Sequence, residues 1–568
     1  MGNRSDNRIF DAIVIGSGMS GGWAAKELCE KGLKTLVLER GRDVKHIKDY
    51  PTTNMMPWEF KHRGEPPYEI RQANPSVSRC YAFREDAMHF FVKDNDHPYV
   101  QDKPFDWIRG YQVGGKSIMW ARQTQRWSDF DFEGPLRDGF AVDWPIRYKD
   151  IAPWYSYVEK FAGISGNKDG LPNLPDGEFL PPMELTCVEN YFREIVSKKY
   201  KDRHVIYGRC AHLTEPQEIH LHQGRGQCQK RNLCQRGCPF GGYYNTNSTT
   251  IPAAANTGNM TLRTFSVVHS VIYDDKKGKA AGVRVIDAIT KETVDFFAKV
   301  IFVNAAALNT NLVLLNSVSA RFPNGIGNDN GLLGKFVAFH NYRARMTASY
   351  HGFKEFTTDG RRPTSAYMPR FRNVFRQETD FLRGYAATIA TGRSRLPAGA
   401  SLVGEDLKNA LCGDQPFGPW NIHSQMMGET IPKETNHVAL DKDKKDEWGI
   451  PLLKISVGYD ENEEKMIKDY FEQMTEMFTE AGFTDIKTSD SKQAPGLDIH
   501  EMGGVRMGRD PKTSLLNEWN QLHACKNVFV TDGACMTSTS TQNPSLTYMA
   551  LTARAADYAV AQLKKSEL

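Results

Sequence analysis

No stretch of this chain approaches the roughly 20 consecutive apolar residues that a membrane-crossing helix needs. The opening residues, MGNRSDNRIFDAIVIG, also lack an apolar signal region ahead of the first candidate strand. The expectation is therefore a cytoplasmic protein without a transmembrane segment of its own. The alternative is a periplasmic protein carried across a membrane by a signal-bearing partner. Charge of one sign is not in excess either: 72 Lys and Arg stand against 68 Asp and Glu, a net of +4, and no basic block occurs. Nucleic acid is thereby excluded as an expected partner. Cysteine is sparse, ten in 568 residues, too few for a disulfide scaffold. Neither an internal repeat nor a low-complexity tract interrupts the chain. What remains is ordinary globular composition, 40% hydrophobic and 25% charged, in a chain too long for one core, so two or more interleaved domains are expected.

The most informative stretch is Phe10 to Gly41, FDAIVIGSGMSGGWAAKELCEKGLKTLVLERG. An apolar run, Ala12 to Ile15, reads as a buried strand. Gly16, Gly18 and Gly21 follow at the G-x-G-x-x-G spacing, then a helical segment over 22–31, a second apolar run over 35–38, and Glu39 at its end. The first glycine permits a tight turn, the second lets backbone approach a pyrophosphate, and the third lets helix pack on strand. The helix N-terminus offers N–H groups to phosphates. A carboxylate at Glu39 accepts hydrogen bonds from ribose hydroxyls and repels a 2′-phosphate. These features in register predict a dinucleotide site and leave FAD against NAD open.

Residues 42–105, rich in Pro, Asp and aromatics, read as a long excursion over the surface. Gly114 and Gly115 followed by Ser117 predict a loop where backbone passes close to a ligand before a helix, with an ordinary Gly-Gly turn as the alternative. Residues 163–182 are a Gly/Pro-rich connection. Val300 to Asn304 is a further buried strand followed by a helix with Leu308, Leu312, Leu314 and Leu315, read as a return to the first sheet. From His340 to about Asp490, alternating stretches at 342–350 and 452–457 read as strands of a half-exposed sheet. Residues 392–420 read as loop. Glu461 to Ala481 reads as an amphipathic helix whose stripe of Met466, Tyr470, Phe471, Met474 and Phe478 is core. Near the C-terminus, 527–531 reads as a buried strand ending in Asp532-Gly533, and Asn543-Pro544 opens a helix with Pro at its first position.

Taken together, GSGMSG with Glu39, the GGKS loop, NAAALNTNLVLL, HEMGGVRMG and VTDGA…TQNPSLTYMALTARAADY resemble the glucose–methanol–choline (GMC) oxidoreductases, FAD enzymes that oxidise alcohols. Within that family the chain resembles the pyranose dehydrogenase and pyranose 2-oxidase branch and the flavin subunits of gluconate and glucoside 3-dehydrogenases. The resemblance implies an α/β fold: a Rossmann-like FAD-binding domain interleaved with a substrate-binding domain of sheet plus helix. The FAD domain is expected from 1–50, 100–165, 225–340 and 495–568, and the substrate domain with its excursions from 51–99, 166–224 and 341–494. It implies a catalytic pair at His500 and Asn543. A neutral imidazole is the natural base for a hydroxyl proton near neutral pH, and an amide donor steadies the developing alkoxide. It further implies that Asp532, with Gly533, holds the ribityl or pyrophosphate part of FAD and that Val268 gives a backbone contact to adenine. The helix after Asn543 and Pro544 then points its N-terminus at the flavin. The position of the family's covalently linked histidine corresponds to Met119, so FAD is expected to bind non-covalently.

Cys228, Cys234 and Cys238 stand at C-x5-C-x3-C in a Gly-rich segment ending in Pro239. This spacing points to an iron–sulfur site. A zinc site with His220 and His222, or plain structural thiols, are the alternatives. The resemblance implies a three-iron (3Fe-4S) cluster, with Cys210 as a distant fourth candidate. The remaining cysteines read as packed thiols. The reaction implied is oxidation of a secondary hydroxyl of a pyranose sugar or glycoside to the 3-keto form, electrons leaving through the cluster to a small subunit and a cytochrome c or other acceptor. An oxygen-using oxidase and a non-catalytic flavoprotein subunit are the alternatives. Trp58, Tyr68, Trp107 and Trp420 are candidate sugar-stacking surfaces.

Overall fold

The computed structural model describes residues 8–358, 363–393, 402–412 and 417–568. Its first sheet is built from both ends and the middle of the chain. Strand β1 (Ile9–Ile15), helix α1 (Met19–Glu30) and strand β2 (Thr35–Leu38) are joined by β3 (Met260–Arg263), β4 (Ser266–Asp274), β5 (Lys279–Asp287) and β6 (Thr293–Val303), which leads to helix α2 (Ala307–Leu315). Strand β7 (Val528–Phe529) and helix α3 (Ser545–Lys564) complete it. The order is β3-β2-β1-β6-β5-β4, with β7 also paired to β6. Strands β3, β2, β1, β6 and β7 run parallel, while β4 and β5 form an antiparallel extension.

The parallel strands are apolar on both faces because both are covered. Ile13 and Ile15 enter a core with Trp127, Trp144 and Leu546. Ala12 and Val14, pointing the other way, meet Ala24, Leu28, Ala555 and Ala559 of α1 and α3. The small residues of α3 let two helices and a sheet approach closely. Helix α1 begins at Met19, three residues before the sequence expectation, so Gly21 and Gly22 lie inside its first turns. A Cβ at Gly21 would sit 2.0 Å from the Gly16 carbonyl oxygen. Helix α3 begins at Ser545, with Pro544 at the cap and no side-chain cap bond.

The second sheet is antiparallel, in the order Ala366–Met368, Tyr385–Gly392, Trp420–Glu429, Ala344–Tyr350, Thr484–Asp490, with His340–Asn341 paired to Trp420–Glu429. Helix Glu461–Glu480 packs on it, burying Met466, Tyr470, Met474 and Phe478. Asp460 starts this helix by accepting from the Asn462 amide at 3.0 Å. Trp420 is 1% exposed within this core, which corrects its reading as a stacking surface.

Three further expectations change. Pro451–Ser456 belongs to a separate three-stranded sheet with His437–Lys445 and Val100–Gln101. The excursion over 42–105 has a core of its own, in which Val44, Tyr50, Val77, Phe83 and Phe90 pack with Ile118 and Met119. Tyr50, Phe83, Phe90 and Phe91 are the buried aromatics of that core. Within 392–420, expected as loop, Gly404–Cys412 is helical, and 394–401 and 413–416 lie outside the described residues. Among the described residues no helix is long and apolar enough to cross a membrane.

Candidate active site

A cavity runs along the C-terminal ends of β1, β2 and β6, where an open α/β sheet places its ligands. It is lined by Gly16, Gly18, Glu39, Gly115, Ser117, Val268, Asp532, Gly533, Asn543, Pro544 and His500. Gly21 lies behind the wall, in the helix–strand packing described above, and Gly114 lies beside it. Each glycine has a different cause. Gly16 takes φ +93°, and a Cβ there would lie 2.4 Å from the Asn304 carbonyl oxygen. Gly18 has no neighbour within 4 Å on its Cβ side, so its backbone is open to the cavity. Helix α1 starts at Gly18 with no side-chain cap, leaving first-turn N–H groups for a ligand. Ser20 Oγ and Asn304 Nδ2, both lining residues, are buried polar atoms without a partner.

Glu39 is buried, and its carboxylate accepts from Ser17 Oγ at 2.5 Å and from the Gly41 amide at 3.0 Å. Burial pushes its pKa up, against those hydrogen bonds. Ser17 ties this strand end to the paired-glycine loop, its Oγ accepting from the Gly114 amide at 3.1 Å. At Gly114, φ is +90° and a Cβ would lie 1.6 Å from Asn247 Oδ1. Gly114 is thus required by close packing against Asn247, and the pair leads into the short helix Gly115–Ile118. Asn247, which sequence reading missed, donates to the carbonyls of Val44 and Val113 at 2.6 and 2.9 Å. Asp532 accepts from Thr310 Oγ1 at 2.6 Å, and burial pushes its pKa up to about 6.

At the other end of the cavity, His500 Nε2 lies 3.1 Å from Asn543 Nδ2. The cap position of α3 is Pro544, with no side-chain cap bond. The Asn543 amide is turned to the imidazole. His500 Nδ1 lies 2.8 Å from Nδ1 of His340, a residue that sequence reading passed over. Burial, with His340 and Lys116 adding to it, holds the His500 pKa well below the ordinary imidazole value. The ring is thus neutral at pH 7. Lys116 lines the same cavity and donates to Glu501 Oε2 at 3.3 Å.

The backbone that presents this pair is strained. Ile499, next to His500, has φ +64°, and Ser540 has φ +59°. The first is an uncommon conformation for a β-branched residue and needs surrounding structure to hold it. On the Ser540 side a buried ion network does this. Arg370 bonds Glu429 at 2.5 Å and also Asp131, and Arg383 bonds Glu429 at 2.9 Å. Asp131 in turn accepts from Ser540 Oγ at 2.7 Å, fixing the loop that leads to Asn543. The same end of the cavity carries Tyr81, Trp120, Gln123 and Tyr342. Trp107 also lines the cavity, whereas Trp58 and Tyr68 are 80% and 64% exposed elsewhere.

The cysteine expectation changes in part. Among the described residues the one close set of metal-type ligand atoms is His340, Asp498 and His500, and the thiols of Cys228, Cys234 and Cys238 do not form such a set. A single zinc ion, with Zn–S bonds of about 2.3 Å, needs its ligands close together. His220 is committed elsewhere, its ring nitrogens 3.0 Å from the Gln217 amide and 3.0 Å from the Lys160 carbonyl. His222 is exposed beside Glu218. The zinc reading fails on both counts. The thiols nonetheless share one neighbourhood: burial pushes the Cys228 thiol up, and Cys234, Cys238 and Cys210 add to it. His212 Nε2 lies 3.7 Å from Cys234 Sγ. None of the nine cysteines whose side chains are described is in a disulfide.

A parallel α/β sheet with a capless helix at its glycine turn, and a cavity ending in a neutral His–Asn pair, define a dinucleotide-dependent oxidoreductase. The chain belongs to the GMC oxidoreductase family, whose N-terminal and C-terminal models match residues 100–335 and 432–552. It is 28% identical to 2-methyl-1,2-propanediol dehydrogenase of Mycolicibacterium austroafricanum, over 96% of this chain and 94% of that one. It is 26% identical to the fructose dehydrogenase large subunit of Gluconobacter japonicus, over 98% of each. Among solved structures it matches formate oxidase of Aspergillus oryzae RIB40 with a TM-score of 0.59 at 13% identity, over 99% of this chain and 100% of that one, a likeness of fold. The protein is thus an FAD-dependent oxidoreductase acting on CH–OH donors. The cavity fits that cofactor: the open backbone at Gly18, the uncapped α1 and the unpartnered Ser20 and Asn304 atoms are what a pyrophosphate requires.

Proposed function

We propose that the enzyme oxidises a secondary hydroxyl of a pyranose sugar or glycoside, to the 3-keto form, as a dehydrogenase. The observation that carries this reading is the neutral His500 with Nε2 facing the Asn543 amide at 3.1 Å in the cavity. Gly16, Gly18, Glu39, Ser117, Val268 and Asp532 hold FAD, without a covalent bond through Met119, whose thioether cannot form one. When bound, FAD supplies the acceptor for the hydride of the carbinol carbon. His500 Nε2 takes the hydroxyl proton, and Asn543 Nδ2 donates to the same oxygen as its charge grows. The buried setting strengthens that donation, because little water competes for the oxygen. Tyr81, Trp120 and Tyr342 offer aromatic faces, and Gln123 an amide, to a ring that is apolar on its C–H face and polar at its rim. Pyranosides and small vicinal diols are to be compared as substrates, with the product ketone located by NMR. Turnover of pyranosides with a 3-keto product is expected. Oxidation of small diols alone would remove the sugar.

In this reading Cys228, Cys234 and Cys238 would hold a three-iron cluster, which would supply a one-electron path to a small subunit and a cytochrome c or other acceptor. Such a cluster spreads its thiolates over separate irons and so tolerates wider spacing than one ion does. Two buried cations support an anionic group there. Arg122 faces Cys234 and Cys210 electrostatically. Arg225 is held by the carbonyls of Gly241 and Ala162 at 3.0 and 2.8 Å. Arg122 Nε and Arg225 Nη2 have no partner. The Tyr243 hydroxyl, bonded to the Ile118 carbonyl and 3.2 Å from that of Cys234, joins the cysteine segment to the loop lining the cavity. Iron analysis with electron paramagnetic resonance of protein isolated without air is expected to show stoichiometric iron and a near-isotropic signal. Cys234→Ser is expected to lose both while substrate still reduces FAD. Absence of iron in the wild type would leave an oxygen-using oxidase with structural thiols.

A further inference from the structure

His340 and His500 meet edge to face, with ring centroids 4.9 Å apart at 88°. With their Nδ1 atoms 2.8 Å apart, one ring must donate and the other accept. The far side of His340 decides which. Its Nε2 lies 3.2 Å from the Thr539 carbonyl and 3.0 Å from the Ser540 carbonyl. A carbonyl only accepts, so His340 Nε2 carries a hydrogen. Burial lowers the His340 pKa to about 4, so the ring is neutral and its Nδ1 is a lone pair. The proton in the short contact therefore belongs to His500.

We propose that His340 is a positioning residue that locks His500 in the Nδ1–H tautomer, leaving Nε2 as the lone pair that takes the substrate's hydroxyl proton. The inference rests on the reading of His500 as the base, and it supplies what that reading lacks. A neutral histidine with free choice of tautomer presents N–H at Nε2 for part of the time and is then no base. The base sits on a loop, whereas the residue that fixes it sits on the second sheet. His340 pairs with Glu429 across that sheet, and its own amide donates to Asp498 Oδ2 at 2.8 Å. The carbonyls that read its Nε2 belong to the loop leading to Asn543. One chain of hydrogen bonds thus sets the base, its tautomer and the donor opposite it. The proximity of His340, Asp498 and His500 is explained by these bonds without a metal ion. A neutral ring in this place differs from a carboxylate: it orients the base without a full negative charge to stabilise the imidazolium.

The test uses the FAD-loaded enzyme labelled with nitrogen-15 in histidine, His500 being assigned by the loss of its signals in His500→Ala. The wild type is expected to show His500 protonated at Nδ1 and bare at Nε2. The reverse pattern overturns the proposal whatever the variants do. His340→Leu removes the acceptor and is expected to mix the tautomers and slow anaerobic FAD reduction by one to two orders of magnitude. His340→Asn, whose Oδ1 takes the place of Nδ1, is expected to restore most of the rate and the tautomer. A His340→Leu enzyme with full FAD, wild-type rate and an unmixed tautomer would also overturn it. If instead His500→Ala leaves reduction unchanged while the tautomer pattern holds, the catalytic reading of His500 fails and the lock stands.

Discussion

His500→Ala is expected to slow reduction of the bound FAD by substrate by about 10²–10⁴-fold, the usual worth of a positioned general base. FAD content is expected to be unchanged. The two parts of the expectation separate because the cavity separates them. The cofactor cradle is made by the β1–α1 turn, Glu39 and Asp532, whose carboxylates bond Ser17, Gly41, Thr310 and Ala534. Among the described residues His500 bonds the far group of His340 and Asn543. The same burial fixes the pH dependence. A base works when unprotonated, and His500 titrates well below the ordinary imidazole value. The wild-type reduction rate should therefore hold level as pH falls through about 6.5, the free-histidine value, and decline only at lower pH. Decline centred on the free-histidine value would mean that another group sets the profile, Asp532 or Asp498 of the same cavity or an exposed base elsewhere.

Gly21→Ala is expected to give protein without FAD, much of it insoluble. The added Cβ would lie 2.0 Å from the Gly16 carbonyl oxygen, a backbone atom. Neither side can yield cheaply. Gly16 is already in a left-handed turn pressed against Asn304, and α1 is held on its other face by Gly22, where a Cβ would lie 2.6 Å from Thr250 Oγ1. Overpacking of this kind costs about 1–3 kcal/mol or more. It also moves the N–H groups that receive the pyrophosphate. Gly18→Ala is the contrast: with no neighbour within 4 Å, its Cβ enters the cavity and not the fold. That variant is expected to keep its thermal stability as apoprotein and bind FAD less tightly. The comparison is read by FAD absorbance per chain and by calorimetry. Equal FAD content in Gly21→Ala and wild type would contradict the packing account.

The difference between these glycines was legible in the sequence because each element around them is local: strand, turn, helix, strand and acid fall within about thirty residues. Local order likewise announced α2 and the helix Glu461–Glu480, whose apolar stripes repeat at the helical period. What the sequence could not show is what arrives from far away. His340 is a single histidine in KFVAFHNYR, 160 residues from the base it touches, and no spacing links them. Asn247 and Ser17 meet Gly114 from separate segments in the same way. The excursion over 42–105 looked like surface because its aromatics lack any period. Tyr50, Phe83, Phe90 and Phe91 among them pack as an irregular cluster, a kind of core that pattern reading does not detect. Trp420 failed for a related reason, since an aromatic in a strand looks the same whether it faces sugar or core. The cysteines lie between these cases: their spacing put them in one neighbourhood, but spacing alone does not set how far apart the sulfurs stand.

The central claim is that the cavity between Gly18 and His500 carries out alcohol oxidation on FAD. The most direct test mixes the FAD-loaded enzyme with a methyl pyranoside in the absence of oxygen and follows the yellow absorbance of the bound cofactor, with a substrate deuterated at C3 beside it. The account expects the absorbance to bleach in a single turnover, more slowly with the deuterated sugar. Full retention of the colour with every pyranoside and simple alcohol tried, in protein carrying stoichiometric FAD, would contradict it.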